Sequence, residues 1–265
     1  KLPDLAVSMG MPAIAVTDTN NMFCALEFSE AASKAGIQPI IGCQVDMAYD
    51  PAPATEKPRV PAALVLLAQN ERGYENLMAL NSCLYLDSDG TLPQVQMAQL
   101  AAHAEGVICL TGGPNGPLGK LLQNGQTGKA QALLEGLAQA FGDRLYVELQ
   151  RHPSEDGRMP DAERLSERGL VEMAYAMDLP LVATNDVYFP KPEIYEAHDA
   201  LICIAEGAYV DQQGPRRRLS PQHYLKSPAE MAVLFADLPE ALENTVEIAR
   251  RCAFKAYTRD PILPK

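Results

Sequence analysis

The polar residues that could do chemistry in this chain fall just after short apolar runs. Asp18 and Thr19 follow the run 13–16, Gln44 follows 39–42, and Gly113 follows 106–110. Gln150 and His152 follow 145–149, and Asn185, Asp186 and Tyr188 follow 179–184. If the runs are strands of an α/β barrel, these positions lie at the C-terminal strand ends, where reacting groups gather. A multi-metal site at such a ring would need several converging imidazoles and carboxylates. This ring offers two carboxylates and one histidine, and the whole chain has four histidines.

Other patterns imitate sites. The glycine-rich run 111–120 fails the phosphate-loop spacing and has Leu121 where a hydroxyl is needed, so it reads as a turn after a strand. Asp87-Ser88-Asp89-Gly90 opens like a calcium loop but lacks the later ligands and the closing glutamate. Asp18 has a second reading as the cap of the following helix. Arg216, Arg217 and Arg218 form a basic island, read as a solvated loop that offsets nearby acids. His198 fits packing at a helix start, while His103 and His223 have no convergent partners in sequence.

The elements that must position the ring are strands at 13–16, 39–42, 63–67, 106–110, 145–149 and 179–184. They are apolar almost throughout, as parallel strands buried on both faces are. Amphipathic helices are expected over 25–35, 70–85, 129–141 and 161–177, the first and third ending at Gly36 and Gly142. Ser227-Pro228-Ala229-Glu230 is a capping box with proline at the first helical position. Asp237-Leu238-Pro239-Glu240 repeats it for a last helix carrying Leu242, Val246, Ala249 and Cys252. Alternating strands and helices imply a parallel sheet or a closed barrel. Residues 4–9 read as a helix before the first strand, so an opening strand is expected to precede Lys1.

Composition narrows the function. The chain has 265 residues and a formal net charge of -12, the reverse of the Lys/Arg surplus that grips nucleic acid. No run approaches the length needed to span a bilayer, and residues 1–4 are not a secretory signal. The six cysteines include no C-x-x-C pair and read as reduced, mostly buried thiols of a cytoplasmic protein. The proline-rich segments 50–58 and 113–117 read as surface connections.

The segment 15–28, with Thr17-Asp18-Thr19-Asn20-Asn21, resembles the second motif of the PHP (polymerase and histidinol phosphatase) domain. The form is that of the bacterial DNA polymerase III alpha family. Segments 39–44, 146–152, 181–188, 196–204, 224–231 and 239–249 resemble its later motifs in order. The resemblance implies a distorted seven-stranded β/α, TIM-like barrel that lacks its first strand in this chain. It implies one PHP domain over 1–265, with 207–265 as an extension of the barrel and 261–264 as its exit towards a polymerase palm beyond Lys265.

Active members of the family hold a cluster of metal ions for phosphoester hydrolysis. Asp18, His152 and Asp186 match retained ligand positions. Thr19, Gln44, Gly113 and Tyr188 stand where the family has histidine, glutamate, cysteine and histidine, and the opening His-x-His motif is absent. The expectation is therefore a domain with no catalytic residues, no cofactor, and at most one weak ion at Asp18, His152 and Asp186. It would act as a structural and docking module in chromosomal replication. Its partners would be the rest of the polymerase III alpha chain and a proofreading exonuclease subunit; DNA would be met only through other polymerase domains, and no membrane is expected. The alternative is an active phosphoesterase or 3′-5′ exonuclease using zinc or manganese.

Overall fold

The computed structural model describes residues 1–50, 60–87 and 92–260. The proline-rich segment 51–58, the calcium-like residues 88–90 and the expected exit 261–264 lie outside the described residues. Six strands form one curled sheet in chain order: β1 (Ala13–Thr19), β2 (Gln38–Met47), β3 (Ala62–Ala68), β4 (Val107–Leu110), β5 (Leu145–Gln150) and β6 (Leu181–Thr184). Helices α1 (Leu2–Ser8), α2 (Ala25–Ala35), α3 (Glu71–Leu86), α4 (Met97–Ala102), α5 (Pro117–Gln123), α6 (Thr127–Phe141), α7 (Asp161–Ala176), α8 (Tyr195–Glu206), α9 (Pro228–Leu234) and α10 (Pro239–Arg251) complete it.

The expected all-parallel sheet is corrected at β3. β1 pairs parallel with β2, and β4, β5 and β6 run parallel, but β3 is antiparallel to both neighbours. The reason is the round trip that α3 and α4 make together. The backbone of Val95, between these helices, bonds Asp46 and Ala48 at the far end of β2. α4 then returns the chain, so that Gly106 accepts a hydrogen bond from the Gln69 N–H where β3 ended. β4 thus starts beside the end of β3 and must run the other way.

Both faces of the sheet are covered, which explains the unbroken apolar runs. On the outer face, Leu64, Leu66, Cys109, Val147 and Leu149 join the main core with α3, α6 and α7 residues such as Leu80, Leu134 and Leu170. On the inner face, Ile40, Leu67, Ile108, Tyr146 and Val182 pack on Ile248 and Cys252 of α10. The Gln38 side-chain amide donates to the carbonyls of Ala249 and Cys252, and that of Asn244 to Leu181 O, fastening α10 to β2 and β6. Towards the C-terminal ends of β2, β5 and β6 the inner face turns polar, with Gln44, Glu148, Gln150 and Thr184. That layer is the floor of the site.

Helix ends follow the sequence closely. Gly36 closes α2 at φ 78°, Asn70 Oδ1 caps α3, and Ser227 and Glu230 form the capping box of α9. The last helix departs from expectation. Its cap residue is Leu238, with no capping side chain. Asp237 is drawn instead to Arg151, whose guanidinium also holds Glu167. The run 113–120 is more than a turn: a short 3-10 segment, Gly113–Asn115, leads into α5. All six thiols are free.

Candidate functional site

A cavity of about 550 Å³ opens at the C-terminal ends of β1, β2, β5 and β6. Asp18, Thr19, Gln44, Asp186 and Tyr188 line it, so five of the seven expected positions meet there. Asp18 Oδ2 accepts a hydrogen bond from the Cys24 thiol at 3.0 Å. The expected cap role of Asp18 is corrected, since Cys24 itself is the cap residue of α2 and no side chain caps that helix. Burial, with Asp18 beside it, pushes the Cys24 thiol up to about 12, so it remains a donor.

Gln44 spans the mouth. Its Oε1 accepts from Thr19 Oγ1 at 3.3 Å, and its side chain lies beside Asp186. Asp186 sits on left-handed backbone at φ 40°, a conformation that costs a non-glycine residue energy and needs its surroundings to enforce it. Burial raises its pKa, opposed by His152, Gln44 and Arg217. Arg217 lies over the Tyr188 ring at 5.7 Å and donates to its hydroxyl at 3.4 Å. The basic island is therefore only partly a solvated loop. Arg216 buries its side chain and holds both oxygens of Asp199, at 2.7 and 2.6 Å. Shielded ion pairs of this kind are fixed geometrically in a way that exposed ones are not.

The other two expected positions are placed differently. Gly113 has φ 57°, and a Cβ there would stand 2.9 Å from Gln150 Cδ. His152 is buried and is not among the cavity-lining residues. Its Nδ1 meets Glu163 Oε1 at 2.6 Å, its backbone N–H donates to Glu163 Oε2 at 2.8 Å, and its Nε2 meets the Asn185 carbonyl at 2.9 Å. Both ring nitrogens thus point at protein oxygens. The ring stacks on His223 at 3.9 Å with 3° between planes. His223, which sequence left without a partner, is held down to about 3, chiefly by burial and then by the neighbouring His152.

Glu148 is the residue that sequence reasoning missed. It accepts hydrogen bonds from Thr184 Oγ1 at 2.5 Å, Gln150 Nε2 at 3.2 Å and the Gly112 N–H at 2.9 Å. Its own N–H donates to Thr111 Oγ1. One buried carboxylate so ties the ends of β4, β5 and β6, while burial raises its pKa. The signal was present: a glutamate inside a strand buried on both faces is rare unless it has partners. Glu163, eleven residues beyond His152, and Lys226 carried no comparable signal.

These residues do not fit a metal cluster. Among the described residues no group of three or more His, Cys, Asp or Glu is placed to hold an ion. Among the described residues no imidazole lines the cavity, and its one buried carboxylate, Glu148, is occupied by donors from Gly112, Gln150 and Thr184. Among the described residues no helix is long and apolar enough to cross a membrane.

Comparison with known proteins places this arrangement. The family model of the PHP domain matches residues 1–152. The chain belongs to the PHP domain family. This PHP chain is 52% identical over 262 residues, 98% of its length, to DNA polymerase III subunit alpha of Caulobacter vibrioides. It is 42% identical to the subunit of that name from Pseudomonas aeruginosa over 99% of its length, and 39% identical to that of Rickettsia bellii over 100%. The alignments take in 22%, 22% and 21% of those relatives, so the PHP chain spans about a fifth of the length of the curated relatives it matches.

Proposed function

We propose that this PHP domain serves a bacterial replicative polymerase, as part of a DNA polymerase III alpha chain, and that its role there is structural and docking rather than hydrolytic. The observation that carries the reading is His152. The one histidine at a retained ligand position spends both ring nitrogens on Glu163 and Asn185, so it braces β5 and α7 against the loop after β6. Asp18 is likewise engaged by the Cys24 thiol. Four further positions carry groups that bind metals weakly or not at all, and each lost ligand costs affinity heavily. Similarity to alpha subunits over nearly the whole of this chain supports the polymerase context. The charge of -12 suits a domain that leaves DNA to other parts of the polymerase.

In this reading the domain braces the polymerase and docks a separate proofreading exonuclease subunit, which supplies the hydrolysis that the cavity lacks. Elemental analysis of the full-length alpha chain tests it. Substoichiometric zinc and manganese are expected, together with co-elution of the exonuclease subunit. One or more equivalents of either metal, with phosphoester hydrolysis lost in Asp186→Ala, would overturn it.

A further inference from the structure

The segment 208–219, which follows α8, lies over the mouth of the cavity. Arg217, Arg218 and Leu219 enclose a space of about 310 Å³ with Gln44, Asp186 and Tyr188, and the last three also line the main cavity. Two fixed points bound the segment. Gly207 closes α8 on left-handed backbone at φ 64°, a conformation that glycine adopts at no steric cost. Beyond the segment the chain is held again, where the Tyr188 N–H donates to His223 O at 2.9 Å and the Leu225 N–H to Phe189 O at 3.0 Å.

Between these points the segment is tied mainly to itself. Arg218 Nη2 donates to Gln212 O at 3.2 Å, the Gln212 amide to Pro215 O at 3.4 Å and the Gln213 amide to Asp211 O at 3.1 Å. Among the described residues its side chains hydrogen-bond the rest of the domain at two places. One is the long contact from Arg217 to the Tyr188 hydroxyl. The other is Arg216, whose Nη1 and Nη2 donate to Asp199 Oδ1 and Oδ2 on α8, with the two side chains only 4% and 9% exposed. Arg216 also donates to the carbonyls of Arg217 and Val210, both on the segment itself, while its Nε is buried without a partner. Asp199 therefore supplies the countercharge on which this buried guanidinium depends.

A buried pair holds while both partners are present, and removing one leaves a charge that burial penalises. Here that penalty has a local escape. Arg216 sits in a surface segment bounded by a glycine, and the segment can swing into water while the sheet stays folded.

We propose that residues 208–219 are a hinged lid over the cavity, latched shut by Arg216 on Asp199. Closed, the lid sets Arg217 over the Tyr188 ring and covers Asp186. Open, it admits solutes to the polar layer of Gln44, Asp186 and Tyr188. The device is separate from the docking role proposed above and does not depend on it.

The test uses the full-length alpha chain. Limited trypsin digestion, read by mass spectrometry, reports the lid through the bonds after Arg217 and Arg218. It reports unfolding of the domain through the bond after Arg168, in the middle of α7. Asp199→Asn should speed lid cleavage by about 10-fold or more, while cleavage after Arg168 keeps its wild-type rate. Arg216→Ala, which removes the other half of the latch, should do the same. Hydroxyl-radical footprinting of both variants should show increased labelling of Tyr188 and none at Tyr146, which is buried in the core. Wild-type rates of lid cleavage in both variants would overturn the latch. Equal acceleration after Arg168 would show that the pair holds the whole domain and would overturn it too. Faster lid cleavage with Tyr188 labelling unchanged would mean that the segment does not cover the cavity, and the lid would fall.

Discussion

Gln150 fills the space that a side chain at Gly113 would need. A Cβ on Gly113 would lie 2.9 Å from Gln150 Cδ and 3.1 Å from its Cγ, on backbone at φ 57°. The glycine and the glutamine are therefore one packing solution. The Gln150 amide lies across the space beside Gly113 and is bonded to Glu148.

Gly113→Ala should accordingly destabilise the domain by about 1–3 kcal/mol, from left-handed backbone and the clash with Gln150 together. Adding Gln150→Ala relieves the clash but not the backbone. Urea unfolding of the two single variants and the double should show coupling of about 0.5 kcal/mol or more. Strict additivity would mean that Gln150 moves aside freely.

Glu148 predicts both a loss and a pH dependence. Glu148→Ala strands the Gly112 N–H and the Thr184 and Gln150 donors, and should cost about 1–3 kcal/mol. Burial raises the Glu148 pKa in the folded state, and Asp186 is raised in the same way. The unfolded chain then ionises first, so their contribution is complete below the ordinary carboxylate range. It is lost as pH rises through the folded-state values. Glu148→Gln and Asp186→Asn should each gain on wild type across that rise in unfolding titrations. A difference from wild type that does not vary with pH would contradict the linkage.

The Glu163 carboxylate predicts a third effect. Its two oxygens meet the N–H and the Nδ1 of His152, at 2.8 and 2.6 Å. Glu163→Ala leaves a buried backbone donor and a buried imidazole without their acceptor, and should cost about 1–3 kcal/mol or more. Glu163→Gln, which retains an acceptor oxygen, should cost less. Equal melting temperatures for wild type and Glu163→Ala would show that the brace contributes nothing.

The sequence made the polar end of the inner face legible, because an apolar run followed by a polar residue marks where a strand leaves the core, although β1 and β2 run on past the expected ends to Thr19 and Met47 and so contain Asp18 and Gln44. Asp18, Gln44 and Asp186 were placed in this way, and they do share the cavity. The direction of β3 was not legible: its run 62–68 is equally apolar read either way, and direction depends on how α3 and α4 return the chain. Nor could the sequence show where the His152 ring points. That is set by Glu163 in the first turn of α7 and by the carbonyl of Asn185, neither of which is marked by spacing. Glu148 was visible as an anomaly, but its meaning came only with Gly112, just beyond β4, and Thr184 of β6.

Lys226 predicts the opposite pH behaviour from Glu148. Its ammonium is buried between neutral oxygens, donating to Asn185 Oδ1 at 3.0 Å and to the Gln222 carbonyl, 4.4 Å from the Tyr224 ring centroid. Burial pulls its pKa down to about 8, with Glu230 and Glu163 opposing the shift. The folded chain therefore sheds this proton before the unfolded chain does. From about pH 8 up to the ordinary lysine range the unfolded chain binds more protons, so the Lys226 contribution to stability grows with pH. Lys226→Met removes that growth. It also leaves Asn185 Oδ1 without its donor, while the Asn185 amide retains the carbonyls of Gln222 and Tyr224. In unfolding measured across this window, wild type should gain on Lys226→Met as pH rises. A constant difference would place the Lys226 charge in solvent and separate it from the Asn185 network that holds His152.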